Sequence, residues 1–135
     1  MENPSVFPMG ESNDGFAQYF VGQSYLAPVL ETPQIAIHNV TFEPGCRNNW
    51  HIHHNAAQVL IAVGGRGYYQ IEGQEPKELK AGQAVCIPAD TKHWHGAAPG
   101  ESFSHLAFMV PAGDPASMSN EWLGPVGAEA YRRLA

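Results

Sequence analysis

Short strand-like runs punctuated by turn residues fill the middle of this sequence. That rhythm constrains the fold more than any other feature. The breaks fall at Pro44-Gly45, Gly64-Gly65, Gly73, Ala81-Gly82, Pro88, Pro99-Gly100 and Pro111-Ala112-Gly113. Between them lie the runs 35–42, 50–54, 58–63, 67–71, 84–87, 93–96 and 104–110. Spacings of about 8–12 residues with turn signals between them predict an all-β sandwich or barrel. Upstream, residues 17–30 predict one or two further strands, with Tyr25 and Leu26 in the core. Downstream, Ser119-Asn120-Glu121-Trp122 reads as a turn pinned by its tryptophan, and residues 128–134 as one or two helical turns after Gly127.

A length of 135 residues predicts a single domain over 1–135, with its core barrel at about 34–112. Such a chain buries roughly 68% of the surface that its unfolded form exposes, so no staple is required for stability. Thirteen acidic residues against seven basic ones give a formal charge of −6. No basic stripe is available for phosphates, which excludes nucleic acid and disfavours an anionic membrane surface. The opening residues have neither a basic region nor an apolar run, and no stretch approaches the ~20 apolar residues of a membrane span. With two cysteines and no CxxC pairing, the expected setting is the reducing cytoplasm. Cys86, mid-strand between Val85 and Ile87, is expected to be a buried, inert thiol.

The histidines carry the chemistry. His51 and His53 sit two apart in a strand-like run, so their side chains share one face with Cα atoms about 6.5–7 Å apart. Two imidazoles converging from one strand form half of a metal site. A hairpin at Asn55-Ala56-Ala57 would return the Gln58 amide toward them, and His93 supplies a distant fourth candidate. His54 falls outside the alternation. His95 shares the face of His93, His38 that of Val40, and His105 that of Ala107 and Met109. Trp50 and Trp94 point away from the ligand face and read as packing. Arg47 could either clamp a carboxylate or pair with Glu43.

These segments resemble the paired motifs of the cupin superfamily. Gly45, His51, His53 and position 58 fit the first motif, with Gly64 and Gly65 at its far end; Gly82, Pro88 and His93 fit the second. The chain departs from the pattern in three places. Gln58 replaces the usual glutamate, Asp90 stands where glycine is common, and Ala97 stands where asparagine often follows. Asp tolerates left-handed backbone better than most residues, which makes the second departure mild. Segments 40–54 and 92–99, with Gly65-Arg66-Gly67-Tyr68-Tyr69 and Ser104-His105-Leu106-Ala107, look like small single-domain cupins related to those found with carboxymuconolactone decarboxylases. Some of that group are manganese-dependent hydroxynitrile lyases.

The resemblance implies a small double-stranded β-helix, or jelly roll, with a short C-terminal helical segment. It implies one divalent transition metal held by His51, His53, Gln58 and His93, with manganese first and iron, zinc, nickel or cobalt as alternatives. Three neutral imidazoles and a neutral amide leave the +2 charge uncompensated, which favours Lewis acidity. In the lyase-like relatives a histidine at the position of His105 lines the pocket. His105, with His38 as alternate, is therefore the expected proton carrier, and Val40, Asn48, His95 and Met109 the expected substrate contacts. The expected activity is lyase or isomerase chemistry on a small oxygenated molecule. An Fe(II) dioxygenase and a non-catalytic binding module are the other readings. Relatives commonly dimerise, so a homodimer is expected.

Overall fold

The computed structural model describes residues 1–134. Among the described residues, twelve strands form one strongly curled antiparallel sheet. The first four are β1 (Glu11–Ser12), β2 (Phe20–Val21), β3 (Ser24–Glu31) and β4 (Ala36–Phe42). The first histidine motif lies on β5 (Arg47–Asn48), β6 (His51–His54) and β7 (Ala56–Ile71), followed by β8 (Lys77–Lys80) and β9 (Ala84–Ile87). The chain ends with β10 (His93–Ala97), β11 (Phe103–Pro111), β12 (Ser119–Trp122) and a short helix, α1 (Ala128–Arg132). No helix among the described residues is long and apolar enough to cross a membrane.

β7 organises the barrel. Its first part, up to Gly65, pairs with β11 and β9, and its remainder pairs with β10 and β8. The glycine pair at 64–65 therefore does not end a strand, as the sequence suggests, but bends one strand from the first half of the sheet into the other. Gly65 has φ 68, and a Cβ there would overlap the carbonyl of Ser102. A left-handed, crowded corner admits only glycine. Along the first part of β7, Ala56, Gln58, Leu60 and Ala62 are all buried. The period of two thus delivers Gln58 to the interior.

The expected hairpin after His54 is replaced by a corner. Asn55 turns the chain with φ 63, so that β6 pairs with β10 and β12 but not with β7. Asn tolerates this left-handed geometry. The Asn55 backbone N–H donates to Asp90 Oδ1 at 2.9 Å, and Asp90, itself at φ 62, donates its backbone N–H to the His53 carbonyl at 3.0 Å. Two left-handed residues thus tie the two motif loops together.

Other expectations are corrected. Residues 119–122 form a strand along β6 rather than a turn, because their backbone completes the edge that β6 presents. Residues 77–80 form β8 against β7 despite their charged sequence. Tyr25 and Leu26 are half-buried; the buried positions of β3 are Ser24 and Ala27. Cys86 is exposed, since alternation on β9 turns Ile87 inward and the thiol outward. Phe42, Cys46, Ala62, Leu79, Ala97 and Phe103 build the main core. Trp94, Val126 and Tyr131 build a second core beneath α1. Arg47 does not meet Glu43: its guanidinium lies 4.1 Å over the Tyr131 ring, while Glu43 accepts the Tyr25 hydroxyl.

Candidate metal centre

The open end of the barrel holds a cavity of about 380 Å³. Its polar wall is a band of imidazoles. The ligating atoms of His51, His53 and His93 all lie within 4.8 Å of one another. Backbone pairing of His93 opposite His51 brings the two motifs to this point. His51 and His93 ring centroids are 4.3 Å apart, and those of His51 and His53 4.9 Å.

Each ring is fixed from behind by a carbonyl oxygen. His51 Nδ1 donates to the Asn49 carbonyl at 2.8 Å, and His93 Nδ1 to the Thr91 carbonyl at 2.9 Å. His53 Nδ1 donates to Asn120 Oδ1 at 2.7 Å. With the proton held on Nδ1 in all three, every Nε2 carries a lone pair into the cluster. His93 Nε2 then faces Gln58 Oε1 at 3.1 Å, two acceptors with no proton between them. His53 Nε2 is buried with no hydrogen-bond partner. One divalent cation would satisfy these lone pairs together, so the donor set fits a metal. Burial, with the positive charge of neighbouring histidines, holds His51 well below its usual value and His93 down to about 4. Both are free bases at neutral pH, the form that binds metal.

Beside the cluster lies a second pair. His105 Nε2 is 3.0 Å from His95 Nδ1, and both rings are buried. Asn48 Oδ1 accepts the His95 backbone N–H at 2.9 Å, and its amide nitrogen reaches the His95 ring at 3.2 Å. His105 Nδ1 has no partner. Burial, foremost, pushes His105 down to about 4 and His95 well below its usual value. Phe42 and Phe103 pack against His105 and keep water from its rear.

All of the expected pocket residues reach the cavity: His38, Val40, Asn48, His95, His105 and Met109 line it. His38 sits at a more exposed position, 3.6 Å from Glu31. His54 faces outward, 2.7 Å from Glu121. Sequence reasoning missed the aromatic side of the cavity. Trp122 lies 4.8 Å from the His51 ring and stacks on Tyr19 at 4.4 Å, with Phe16 and Phe20 close by. It also missed Asn120, which alternation along a strand would have paired with Trp122 on one face. No Lys, Arg, Asp or Glu lines the cavity among the described residues.

An antiparallel sheet curled around such an imidazole-lined pocket defines a class of small jelly-roll proteins. Residues 38–111 match the cupin domain family, and the chain belongs to it. It is 38% identical over 125 residues to the (R)-mandelonitrile lyase of Granulicella tundricola, covering 90% of this chain and 92% of that protein. The crystal structure of a cupin-like protein from Thermotoga maritima superposes with a TM-score of 0.84 at 33% identity, covering 96% of each chain. The DMSP lyase DddQ from Ruegeria pomeroyi superposes with a TM-score of 0.63 at 19% identity, over 90% of this chain and 61% of that one. At that identity the likeness is one of fold alone.

Proposed function

We propose that this chain is a divalent-metal-dependent lyase that cleaves a carbon–carbon bond beside a hydroxyl group, as in cyanohydrin breakdown. His51, His53, Gln58 and His93 would hold the metal, manganese first. When bound, the cation supplies Lewis acidity toward the substrate oxygen. The observation that carries the proposal is the buried His105–His95 pair standing beside the histidine cluster in a cavity without charged side chains. The likeness to a mandelonitrile lyase supports it.

Such a cavity, apolar opposite its imidazoles, suits a small molecule with an apolar body. Phe16, Phe20, Leu26 and Trp122 enclose the body of the substrate. The coupled His105–His95 pair takes the hydroxyl proton, His105 holding it through the 3.0 Å contact between its Nε2 and His95 Nδ1. The C–O bond becomes a carbonyl as the bond to the nitrile carbon breaks. The electron pair leaves with the nitrile carbon as cyanide, which regains the proton from His105 and departs as hydrogen cyanide. His38, at the rim, orients the substrate and is the alternate proton carrier. A homodimer belongs to the same proposal, supported by exposed Val29 and Leu30 on a strand that β1 covers only at Tyr25 and Leu26.

His105→Ala tests the reading. Cyanohydrin turnover should fall by roughly 10²–10⁴-fold, with the metal content unchanged in protein purified without chelator or nickel resin. Undiminished turnover would overturn the role of His105.

A further inference from the structure

Strand β12 contributes to the metal centre although it lies far in sequence from both ligand motifs. β6 carries His51 and His53. On one side it meets β10 through a single residue pair, His51 with His93. On the other side β12 runs its whole length, with Ser119 opposite His54, Asn120 opposite His53, Glu121 opposite Ile52 and Trp122 opposite His51. The pairing is also one of side chains. On the outer face Glu121 Oε1 meets His54 Nε2 at 2.7 Å. On the inner face Asn120 Oδ1 accepts from His53 Nδ1 at 2.7 Å, and the Trp122 ring lies against His51. Beyond both ends the chain is anchored, where Asn55 Nδ2 donates to the Ser117 carbonyl at 3.0 Å and Leu123 N–H to the Trp50 carbonyl at 2.8 Å.

Asn120 is the distinctive partner. His51 and His93 rest on backbone carbonyls two residues away in their own segments, which any sequence would supply. His53 rests on a side chain from another strand. We propose that Asn120 is a positioning residue for the metal: by accepting the Nδ1 proton of His53 it keeps the buried, unpartnered Nε2 as a lone pair aimed into the cluster. The inference rests on the metal reading above. It adds that affinity for the cation is set partly by a residue that touches no ligand atom facing the metal.

The test is competition of the full-length protein with a chromophoric chelator for Co²⁺ and Zn²⁺. Loss of an outer partner of a ligating histidine typically costs 10–100-fold in metal affinity. Asn120→Leu, which keeps the size and removes the acceptor, should weaken binding by about that factor. Asn120→Asp, which keeps an acceptor oxygen, should restore it to wild-type strength or better. Thermal unfolding in excess chelator separates this from a folding defect, since the positioning role lowers affinity without a matching loss of metal-free stability. If Asn120→Leu fails to fold, the Asn120→Asp and Asn120→Ala pair still decides: equal affinity in those two overturns the proposal. Wild-type affinity in Asn120→Leu also overturns it. A wild-type chain that binds neither ion overturns the metal reading itself, and this inference with it.

Discussion

Gln58 decides how much charge the cluster would leave on its cation. It lies buried on the inward row of β7 with its amide oxygen 3.1 Å from His93 Nε2. An anionic oxygen there would cancel one positive charge and weaken the pull on a substrate oxygen. Gln58→Glu should therefore hold the metal more tightly against a chelator and turn over substrate more slowly. Tighter binding with faster turnover would contradict this account. At this scale the sequence was readable where two residues share a strand. The His51–His53 spacing announced one half of the site, and the second motif announced His93. Asn120 was not readable, because one asparagine in a polar stretch carries no signal until the sheet places it opposite His53.

Among the elements, β9 and β11 follow from apolar runs bounded by Gly and Pro, and β6 and β10 from the strand-like histidine runs, each within a residue of the expected limits. One misreading and one omission share a cause. β8 and β12 are held by pairing with a neighbour rather than by their own side chains, so propensity says little about them. The glycine pair in β7 misled for a different reason: a residue type that usually ends strands here bends one. Gly65→Ala tests that reading. A methyl group at φ 68 against the Ser102 carbonyl should cost about 2–4 kcal/mol in urea unfolding, with the m-value unchanged. Gly73→Ala offers a contrast. It shares a positive φ, but nothing lies within 4 Å of its Cβ position, so it should cost less.

For the whole molecule, the buried histidines make stability depend on acidity. His93 and His105 are held at about 4, whereas an unfolded chain titrates them near 6.5. Between those values the unfolded state binds more protons than the folded one, so stability rises with pH through that window. It is complete above about 6.5 and declines as pH falls toward 4, by at most about 3–4 kcal/mol for each of the two rings. His51 and His95, displaced the same way, add to the decline. The melting temperature of metal-free protein should drop across this range, and a flat profile would refute the account. Adding cation at about 100 times its dissociation constant should add about 2.7 kcal/mol at neutral pH.

The sixteen-residue strand β7 belongs to both halves of the sheet. It works as a spine. A sandwich of two separate layers has a seam along which one layer can melt while the other persists; here the same backbone would have to be torn from both at once. Loss of the barrel and loss of the Gln58 position are therefore one event. A partly opened form that keeps its histidine cluster while shedding half its structure has no place to begin.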